Sequence, residues 1–487
     1  MAHLIGIDLG TTGCKAAVYD ERGECWGESY LEYGLITLSP VMIEQDPHAW
    51  WNLTCQAIQE ALSDAAIDRS GVKGISVSSQ GISFVLLDRE AQPLGNAINW
   101  LDGRALDECA EILLRYSAQD LFAITGKRAA PFYVLPKLLW VRKHQPEIWN
   151  NTRAILMGHD YLVYRLCGAM ATDHSMAGGT LLYDLRTSDW CAEILQAFEV
   201  SRELLPAIHW AGTPIGTLRP EVAGLLGLPL TTVVAVGGQD QKCAALGAGI
   251  DDETATVSLG TACAISQVME QPSTDPGMRI PTFSFVQPGR WVLEGVIGTG
   301  AGSLRWYRDT LGGHIPYKQL DEEAAAVPPG SDGVRFYPHL AGAGSPHWQS
   351  SSRGTFQGLS LASRRGHLTR AVLEGVAFQI RENLAVSQEV AGMVKNVIVF
   401  GGGAKSALWR EIIGDVINRP LAWTPTVETA SLGASILAGL ASGVFASFAE
   451  GRTATLKILT QREPDPVKAG QYARTYDEYQ RLESSVL

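Results

Sequence analysis

The chain has 487 residues, of which 46% are hydrophobic and only 18% are charged. This length exceeds one typical domain of roughly 100–200 residues and the composition can fill large cores, so a small module, a disordered chain and a coiled coil are excluded. The formal net charge of −12 disfavours nucleic acid and an anionic membrane surface as partners. The 51 glycines are an unusually high number, and they cluster at a few predicted turns.

Apolar strand patterns and amphipathic helix patterns follow one another along the chain, which indicates an α/β fold. The chain opens with a β-meander, and the first helix has Asp46 as its predicted N-cap and Pro47 in its first turn. The predicted elements in chain order are strands at 3–9, 14–20 and 25–33, a helix at 46–68, and strands at 74–78 and 231–236.

A short internal repeat indicates a duplicated fold. The tripeptide Leu-Gly-Thr occurs at residues 9–11 and again at 259–261, which is 259 − 9 = 250 residues later. Each copy follows one apolar strand and precedes another, and this shared context separates the repeat from a chance match of three residues. We therefore predict two related domains, at 1–250 and 251–487.

The first repeat forms a turn suited to phosphate, because glycine lets the backbone approach an anion and oriented N–H groups favour negative charge. Asp8 ends the preceding strand and is of a type that holds Mg²⁺, since hard cations take oxygen ligands. An ordinary β-hairpin turn is the alternative. The predicted phosphate contacts of this turn are Gly10, Thr11, Thr12 and Lys15.

Two further glycine clusters lie at residues 298–302 and 401–403. A fold that binds phosphate needs backbone without side chains at such places. The second stands between a predicted strand at 397–400 and a helix pattern, and a helix N-terminus supplies free N–H groups. A structural loop is the alternative, and neither the P-loop nor the G-x-G-x-x-G spacing is present. The residues expected to contact nucleotide are Gly300, Gly402, Gly403 and Ser406.

Asp240 follows a pair of glycines at 237–238 and precedes a helix pattern. Its commonest role at such a place is that of a helix N-cap. The alternative is a general base at the mouth of a cleft, which phosphoryl transfer to a hydroxyl requires. Both interpretations stand at this point.

Three further classes are disfavoured. The eight cysteines contain no C-x-x-C pair, so we expect reduced thiols and a cytoplasmic protein. Residues 429–449 carry no charge over 21 positions, but they are rich in Gly, Ala, Ser and Thr. We predict a buried helix there, followed by a second short one, and no membrane span. The ten histidines show no metal-ligand spacing, which disfavours a zinc enzyme.

These motifs together resemble the FGGY family of carbohydrate kinases, in the actin-like and hexokinase-like ATPase superfamily. Residues 8–13 look like the first phosphate motif of that superfamily, 258–261 like the second and 401–406 like its adenosine motif. Residues 354–359, with 367–374 after a gap of seven, fit the C-terminal signature of the family at every constrained position.

The other family signature fits residues 132–144 except at Val134, where Pro, Ser or Thr is usual. The resemblance covers about residues 4–450 with its motifs in order. It implies an α/β fold of two ribonuclease H-like domains, the first binding sugar and the second adenosine, with the nucleotide in the cleft between them.

The resemblance also implies ATP and Mg²⁺ as cofactors, a small sugar as substrate, Asp240 as the base and Asp8 as a metal ligand. A homodimer is a hypothesis that the sequence leaves open. On this interpretation the ATP phosphates contact Gly10, Thr11, Thr12, Lys15, Gly260, Thr261 and Gly300.

Residues 100–104, 160–162 and 172–184 look closest to xylulose kinases and neighbouring pentulose or hexulose kinases. Gln80 and Asp102 are the candidate sugar-binding residues. Gly81-Ile82 follow Gln80 where xylulose kinases typically carry Met-His and glycerol kinases Arg-Glu, so two polar contacts are missing. D-xylulose is the best single prediction, with another ketose, sugar acid or polyol as the alternative.

Two other functions compete with a kinase. An actin-like or heat-shock-type nucleotide switch would share the phosphate turns, but the C-terminal signature favours a kinase. A glycoside hydrolase that uses paired carboxylates would leave both phosphate turns unexplained.

Overall fold

Two seven-stranded sheets, one in each half of the chain, organise the molecule. The computed structural model describes residues 1–424, 426, 428–457, 460–484 and 486–487. The strands of the first half are β1 (His3–Leu9), β2 (Gly13–Asp20), β3 (Cys25–Glu32), β4 (Ile36–Ser39), β5 (Met42–Gln45), β6 (Val72–Ser79), β7 (Phe84–Leu87), β8 (Ala97–Ile98), β9 (Ala154–Met157), β10 (Ala171–Asp173), β11 (Tyr183–Asp184), β12 (Asp189–Trp190), β13 (Ala207–His209), β14 (Pro214–Thr217), β15 (Val233–Ala235) and β16 (Gly238–Gln239).

The helices of this half are α1 (Pro47–Ala65), α2 (Leu106–Arg115), α3 (Ala118–Thr125), α4 (Val134–His144), α5 (Pro146–Asn151), α6 (Gly158–Cys167), α7 (His174–Ala177), α8 (Ala192–Ala197), α9 (Pro220–Leu226) and α10 (Asp240–Ala248). The strands of the second half are β17 (Thr254–Leu259), β18 (Cys263–Met269), β19 (Thr282–Ser284), β20 (Trp291–Ile297), β21 (Arg335–Tyr337), β22 (Thr355–Gln357), β23 (Asn396–Phe400), β24 (Leu421–Trp423) and β25 (Thr460–Arg462). Its helices are α11 (Ala301–Thr310), α12 (Tyr317–Ala325), α13 (Arg365–Ala391), α14 (Ala407–Ile417), α15 (Thr429–Ala441), α16 (Phe448–Thr455) and α17 (Pro466–Glu483).

The two large sheets share one topology. The first runs β14-β15-β6-β1-β2-β3, with β16 also paired to β6, and the second runs β19-β20-β18-β17-β23-β24-β25. In both, the opening strand is antiparallel to its successor (β1 to β2, β17 to β18) and parallel to the strand on its other side (β6, β23). The duplication predicted from the Leu-Gly-Thr repeat is confirmed, because both copies sit in the same hairpin of the same fold.

The predicted bounds hold closely where local signals are strong. β1 spans the predicted residues, and Asp46 caps α1 by accepting a hydrogen bond from the N–H of His48 at 2.8 Å. The helix predicted to run to residue 68 ends at Ala65, since Ala66 adopts a left-handed conformation with φ of 49°. All eight cysteines are free thiols.

Two helices cross where the halves meet. α15 lies in the second half of the sequence but packs against β1 and β6 of the first sheet, and against α10. The crossing needs glycine on both helices: a Cβ on Gly247 would lie 2.1 Å from the carbonyl oxygen of Thr429, and one on Gly433 would lie 1.9 Å from that of Cys243. The uncharged segment is therefore the buried helix that was predicted, with the short helix α16 after it. Across the described residues, we find no helix with the length and apolar character that crossing a membrane requires.

Candidate active site

The strand ends of the first sheet bring several polar residues to one edge. β1, β6 and β16 run parallel, and their register sets Asp8 opposite Ser78 and Gln239 opposite Ser79. Asp240 follows as the first residue of α10. Ligands of α/β proteins bind at the carboxyl ends of parallel strands, so this edge is the place to look for chemistry.

Asp8 is a carboxylate with little positive charge to balance it. Ser78 Oγ donates to its Oδ1 at 3.0 Å. Burial raises the pKa of Asp8 to about 6, the Ser78 hydrogen bond and Lys15 oppose the rise, and the negative charge of Glu428 adds to it. A hard divalent cation prefers oxygen ligands, and an undercompensated carboxylate at the end of a strand fits such a cation.

Asp240 is held at its position by two donors. The backbone N–H of Gln241 donates to Asp240 Oδ1 at 2.6 Å, and the side-chain Nε2 of Gln239 donates to the same oxygen. Burial, followed by the negative charge of Asp8, raises the pKa of Asp240 to about 7. The N-cap interpretation is wrong, because Gln239 occupies the cap position and Asp240 lies inside the helix. A carboxylate with a pKa near neutrality is tuned for accepting a proton.

The first glycine turn joins β1 to β2. The N–H of Gly10 donates to the carbonyl of Gly13 at 2.9 Å and closes the turn. Thr11 Oγ1 accepts a hydrogen bond from Trp100 Nε1 at 2.8 Å, and Thr12 is exposed at the tip. Neither glycine has positive φ, and close packing explains Gly13, where a Cβ would lie 2.7 Å from the carbonyl oxygen of Leu31. The turn is thus a hairpin whose tip is exposed, and its contact with phosphate stays a prediction.

Lys15 links the two halves of the molecule. Its Nζ lies 2.8 Å from a carboxylate oxygen of Glu428 and 3.2 Å from one of Glu28. Burial lowers the pKa of Lys15, but these two carboxylates outweigh it and raise the pKa above its ordinary value. The predicted phosphate contact is therefore a fully charged amine that is paired with carboxylates.

The second glycine turn joins β17 to β18 and meets the start of α11. The carbonyl of Gly260 accepts from the N–H of Ala301 at 2.8 Å, and that of Thr261 accepts from the N–H of Gly300 at 2.9 Å. A Cβ on Gly300 would lie 2.7 Å from Cβ of Cys263. The turn and the helix start, both predicted to contact phosphate, are thus packed against each other as one unit.

The predicted adenosine motif follows β23 as a 3-10 turn over Gly402–Lys405, before α14. A Cβ on Gly402 would meet no described atom within 4 Å, whereas one on Gly403 would lie 2.6 Å from Leu259 Cγ. Ser406 caps α14, with its Oγ accepting from the N–H of Trp409 at 3.1 Å. Gly402 therefore offers open backbone, while Gly403 packs on β17 and Ser406 holds the helix start.

Gln80 lies in a buried amide network. Its Nε2 donates to Gln45 Oε1 at 2.7 Å, and its Oε1 accepts from Asn99 Nδ2 at 3.1 Å. Asn99 Nδ2 also donates to Gln45 Oε1 at 2.8 Å. Sequence reasoning found only Gln80, because Gln45 and Asn99 belong to distant segments and form no motif with it.

Asp102 is fully buried in an ion pair. Both of its oxygens accept from the Arg104 guanidinium, and Oδ2 also accepts from the backbone N–H of Ile43 at 2.6 Å. Arg104 in turn lies 2.8 Å from Glu44. The structure thus places Asp102 among protein partners, and its direct contact with sugar stays a prediction.

The turn after Gln80 is strained. Ile82 has φ of 57°, a left-handed conformation that a β-branched side chain rarely adopts. Beside it, a Cβ on Gly81 would lie 3.0 Å from Nε2 of Gln239. Strain of this kind persists only where the surroundings impose it, and it concentrates at functional sites. Gly81-Ile82, where the sequence differs from xylulose kinases and glycerol kinases, therefore lies directly against Gln239, which donates a hydrogen bond to Asp240.

A second polar cluster lies between α13, the end of α17 and the loop before β22. The ligand atoms of His347, Glu382 and Glu483 lie within 4.8 Å of one another, so the cluster has the composition of a metal site that no sequence spacing announced. His347 Nε2 is 3.2 Å from Glu382 and 3.6 Å from Glu483. Although burial opposes it, the two carboxylates raise the pKa of His347 to about 10. The protonated imidazole itself thus supplies the positive charge that the carboxylates need.

Comparison with known proteins agrees with this geometry. Residues 3–247 match the N-terminal domain of the FGGY family of carbohydrate kinases, and residues 255–442 match its C-terminal domain. The chain is 31% identical over 483 residues to a xylulose kinase of Bacillus subtilis, covering 99% of this chain and 97% of that protein.

Two solved structures from Lactobacillus acidophilus are also similar. A ligand-bound xylulose kinase matches with a TM-score of 0.93 and 27% identity, covering 100% of this chain and 98% of that one. A gluconate kinase matches with a TM-score of 0.94 and 26% identity, covering 99% and 98%. The resemblance inferred from the motifs is confirmed over the whole chain: the protein belongs to the FGGY family of carbohydrate kinases.

Proposed function

We propose that this carbohydrate kinase transfers the γ-phosphate of ATP to a hydroxyl of D-xylulose and yields D-xylulose 5-phosphate. The observation that carries the proposal is Asp240, a half-buried carboxylate with a pKa raised to about 7 at the edge where the strands end. The similarity to xylulose kinases over nearly the full chain supports the choice of sugar.

In the proposed reaction, Asp240 accepts the proton of the sugar hydroxyl as the hydroxyl oxygen bonds to the γ-phosphorus of ATP. The bond between that phosphorus and the bridging oxygen breaks, and ADP leaves with the electron pair. Two donors orient Asp240 before sugar arrives, so little reorganisation is needed.

The two glycine turns would hold the phosphates from opposite halves of the cleft, with Thr11 and Thr12 on one side and Gly260 and Thr261 on the other. The open backbone at Gly402 suits the adenosine. Asp8 would hold Mg²⁺, which when bound neutralises phosphate charge.

The proposed sugar contact on the first domain is Gln80, whose amide is fixed by its buried neighbours. Asp102 is proposed to act indirectly and not to contact the sugar, since its ion pair with Arg104 anchors the segment that carries Asn99 and Trp100. We also propose a cytoplasmic protein, because the cysteines form no C-x-x-C pair, and a homodimer, which the sequence leaves open.

The test is a phosphorylation assay that measures ADP release with D-xylulose, L-xylulose, D-ribulose, L-ribulose, tagatose, gluconate, erythritol and glycerol. We expect D-xylulose to give the highest kcat/KM. Gluconate is the second candidate, because the gluconate kinase is as similar in structure as the xylulose kinase. A rate with gluconate above that with every ketose would overturn the choice of xylulose.

A further inference from the structure

The backbone of Gln239 is fixed on two sides. β16 pairs it with Ser79 of β6, and its N–H donates to Ser175 Oγ at 3.0 Å. Its side chain therefore starts from a rigid point, immediately before Asp240 and at the edge where the phosphoryl acceptor is proposed to bind. Sites built on rigid elements hold their side chains precisely enough to select a substrate.

The amide of Gln239 has one satisfied end and one unsatisfied end. Nε2 donates to Asp240 Oδ1, and this sets the orientation, because a carboxylate only accepts hydrogen bonds. Oε1 points the other way and is buried, and among the described residues it has no hydrogen-bond partner. A buried acceptor left unpaired is unfavourable, so this oxygen is suited to receive a donor from a bound molecule.

Gly81 makes room for this amide. A Cβ at residue 81 would lie 3.0 Å from Nε2 and 3.1 Å from Cγ of Gln239. Gly81 does not adopt a positive φ, so the missing side chain serves space and not backbone conformation. A side chain at residue 81 would therefore force the Gln239 side chain to move from its present position by at least a few tenths of an ångström.

We infer that Gln239 is a specificity-determining residue for the acceptor sugar. Its Oε1 accepts a hydrogen bond from the hydroxyl next to the one that Asp240 deprotonates, its Nε2 orients Asp240, and Gly81 provides the space for both. The inference rests on the proposed function and deepens it. The preferred acceptor carries two neighbouring hydroxyls, and Gln239 discriminates between the two configurations at the carbon of the hydroxyl that is not phosphorylated. The amide thus supplies a polar contact close to the Gly81-Ile82 turn, which offers no polar side chain.

The experiment compares D-xylulose with L-ribulose, its epimer at carbon 4, which is next to the phosphorylated carbon 5. D-ribulose, the epimer at carbon 3, is the control acceptor. In Gln239→Ala we expect kcat/KM to fall about 100-fold for D-xylulose and less than about 10-fold for L-ribulose, so that the preference between them collapses. The ratio of D-xylulose to D-ribulose should change much less.

Gly81→Ala tests the pairing of the two residues. Alone it should lower kcat/KM for D-xylulose about 10-fold, because the new Cβ displaces the amide. In the Gln239→Ala background it should cost nothing more, since the amide it would displace is gone. Gln56→Ala, which removes an exposed glutamine of α1 bonded to Glu60, is the matched control and should leave all ratios unchanged.

Gln239→Glu adds a second readout that does not depend on a truncated side chain. It keeps an acceptor but loses the donor to Asp240 and adds a like charge, so the midpoint of the kcat/KM–pH profile should move up by about one pH unit. Melting temperatures within a few degrees of wild type show that each variant folds.

The outcomes are distinguishable. If the wild type phosphorylates ketoses but Gln239→Ala leaves the epimer ratios unchanged, or if the effects of Gln239→Ala and Gly81→Ala multiply, the inference is overturned and the proposed function stands. If the wild type phosphorylates no ketose, the proposed function fails and the inference fails with it.

Discussion

Two clusters of carboxylates in this molecule differ in how far their negative charge is balanced by nearby protein groups. In the cleft, burial raises the pKa of Asp8 to about 6 and that of Asp240 to about 7, and the two charges repel each other. In the cluster of His347, Glu382 and Glu483, the pKa of His347 is raised to about 10, and hydrogen bonds from His339 and His347 lower the pKa of Glu483, although burial raises that of Glu382. The cluster of His347, Glu382 and Glu483, which we call the scaffold cluster, contains its own cation. The negative charge of Asp8 and Asp240 is instead left for a ligand to balance. Such uncompensated groups mark functional sites.

The largest effect should come from replacing Asp240, the proposed proton acceptor. Asp240→Asn is expected to lower kcat roughly 10²–10⁴-fold, because an amide cannot take the hydroxyl proton, while ATP affinity stays within about 3-fold. The unfolding free energy at pH 7 should rise by roughly 1–2 kcal/mol, since a poorly compensated charge is removed. ADP release, calorimetric ATP titration and urea unfolding measure the three quantities.

Asp252→Asn is the control for that variant, because this carboxylate lies on the surface and pairs with Arg290. It should leave kcat unchanged. Near-normal turnover in Asp240→Asn would remove the base from the mechanism and end the contrast between the clusters.

A substitution in the scaffold cluster should change the unfolding free energy but not kcat. His347→Gln removes the cation and leaves Glu382 and Glu483 to repel each other, so the unfolding free energy should fall by about 2 kcal/mol with kcat within about 2-fold of wild type. The folded-state pKa is raised above the ordinary 6.5, so this stabilisation is full below about pH 6.5 and disappears as pH rises through about 10.

Urea unfolding at pH 6.5 and at pH 10.5 measures it, and the difference between wild type and variant should shrink at the higher pH. His314→Gln is the matched control, because that imidazole is exposed. A difference that does not change with pH would mean that the charge of His347 is not what stabilises the cluster.

The raised pKa of Asp240 predicts a pH dependence of catalysis. The proposed base accepts a proton only when it is ionised, so kcat/KM for the sugar at saturating ATP should be about 10-fold lower at pH 6 than at pH 8, with a midpoint near 7. Rates across this range, with melting temperatures recorded at each pH, test it. A profile that is already flat at pH 5–6 would show that Asp240 titrates like an ordinary carboxyl group.

The smallest effect concerns Glu428, the carboxylate before α15 that pairs with Lys15. Glu428 raises the pKa of Asp8 and pairs with Lys15, so Glu428→Gln should free the amine and lower the KM for ATP about 3-fold. Glu28→Gln removes the other, more exposed partner of Lys15 and should change KM less. Equal effects of the two variants would contradict a special role for Glu428.

Much of the fold could be predicted because its signals are local. Apolar strands, glycine turns and the Asp46 cap lie within a few residues of one another, and the repeated tripeptide at residues 9–11 and 259–261 marks the duplication. Asp240 could be singled out as a candidate base by its place after a glycine pair. The N-cap role of Asp240 could be rejected only from the structure, because a shift of one residue in the start of α10 decides whether Asp240 is the cap or the first helical residue.

The amide network around Gln80, the ion pair of Asp102 and the contact between Gly81 and Gln239 were beyond the sequence, because each joins segments far apart in the chain. The sequence by itself determined the fold class, the two glycine turns and the family, through periodicity and spacing that any local segment carries. Only the tertiary structure decided which carboxylates are compensated. A pKa depends on burial and on neighbouring charges, and these exist only once distant segments have packed together.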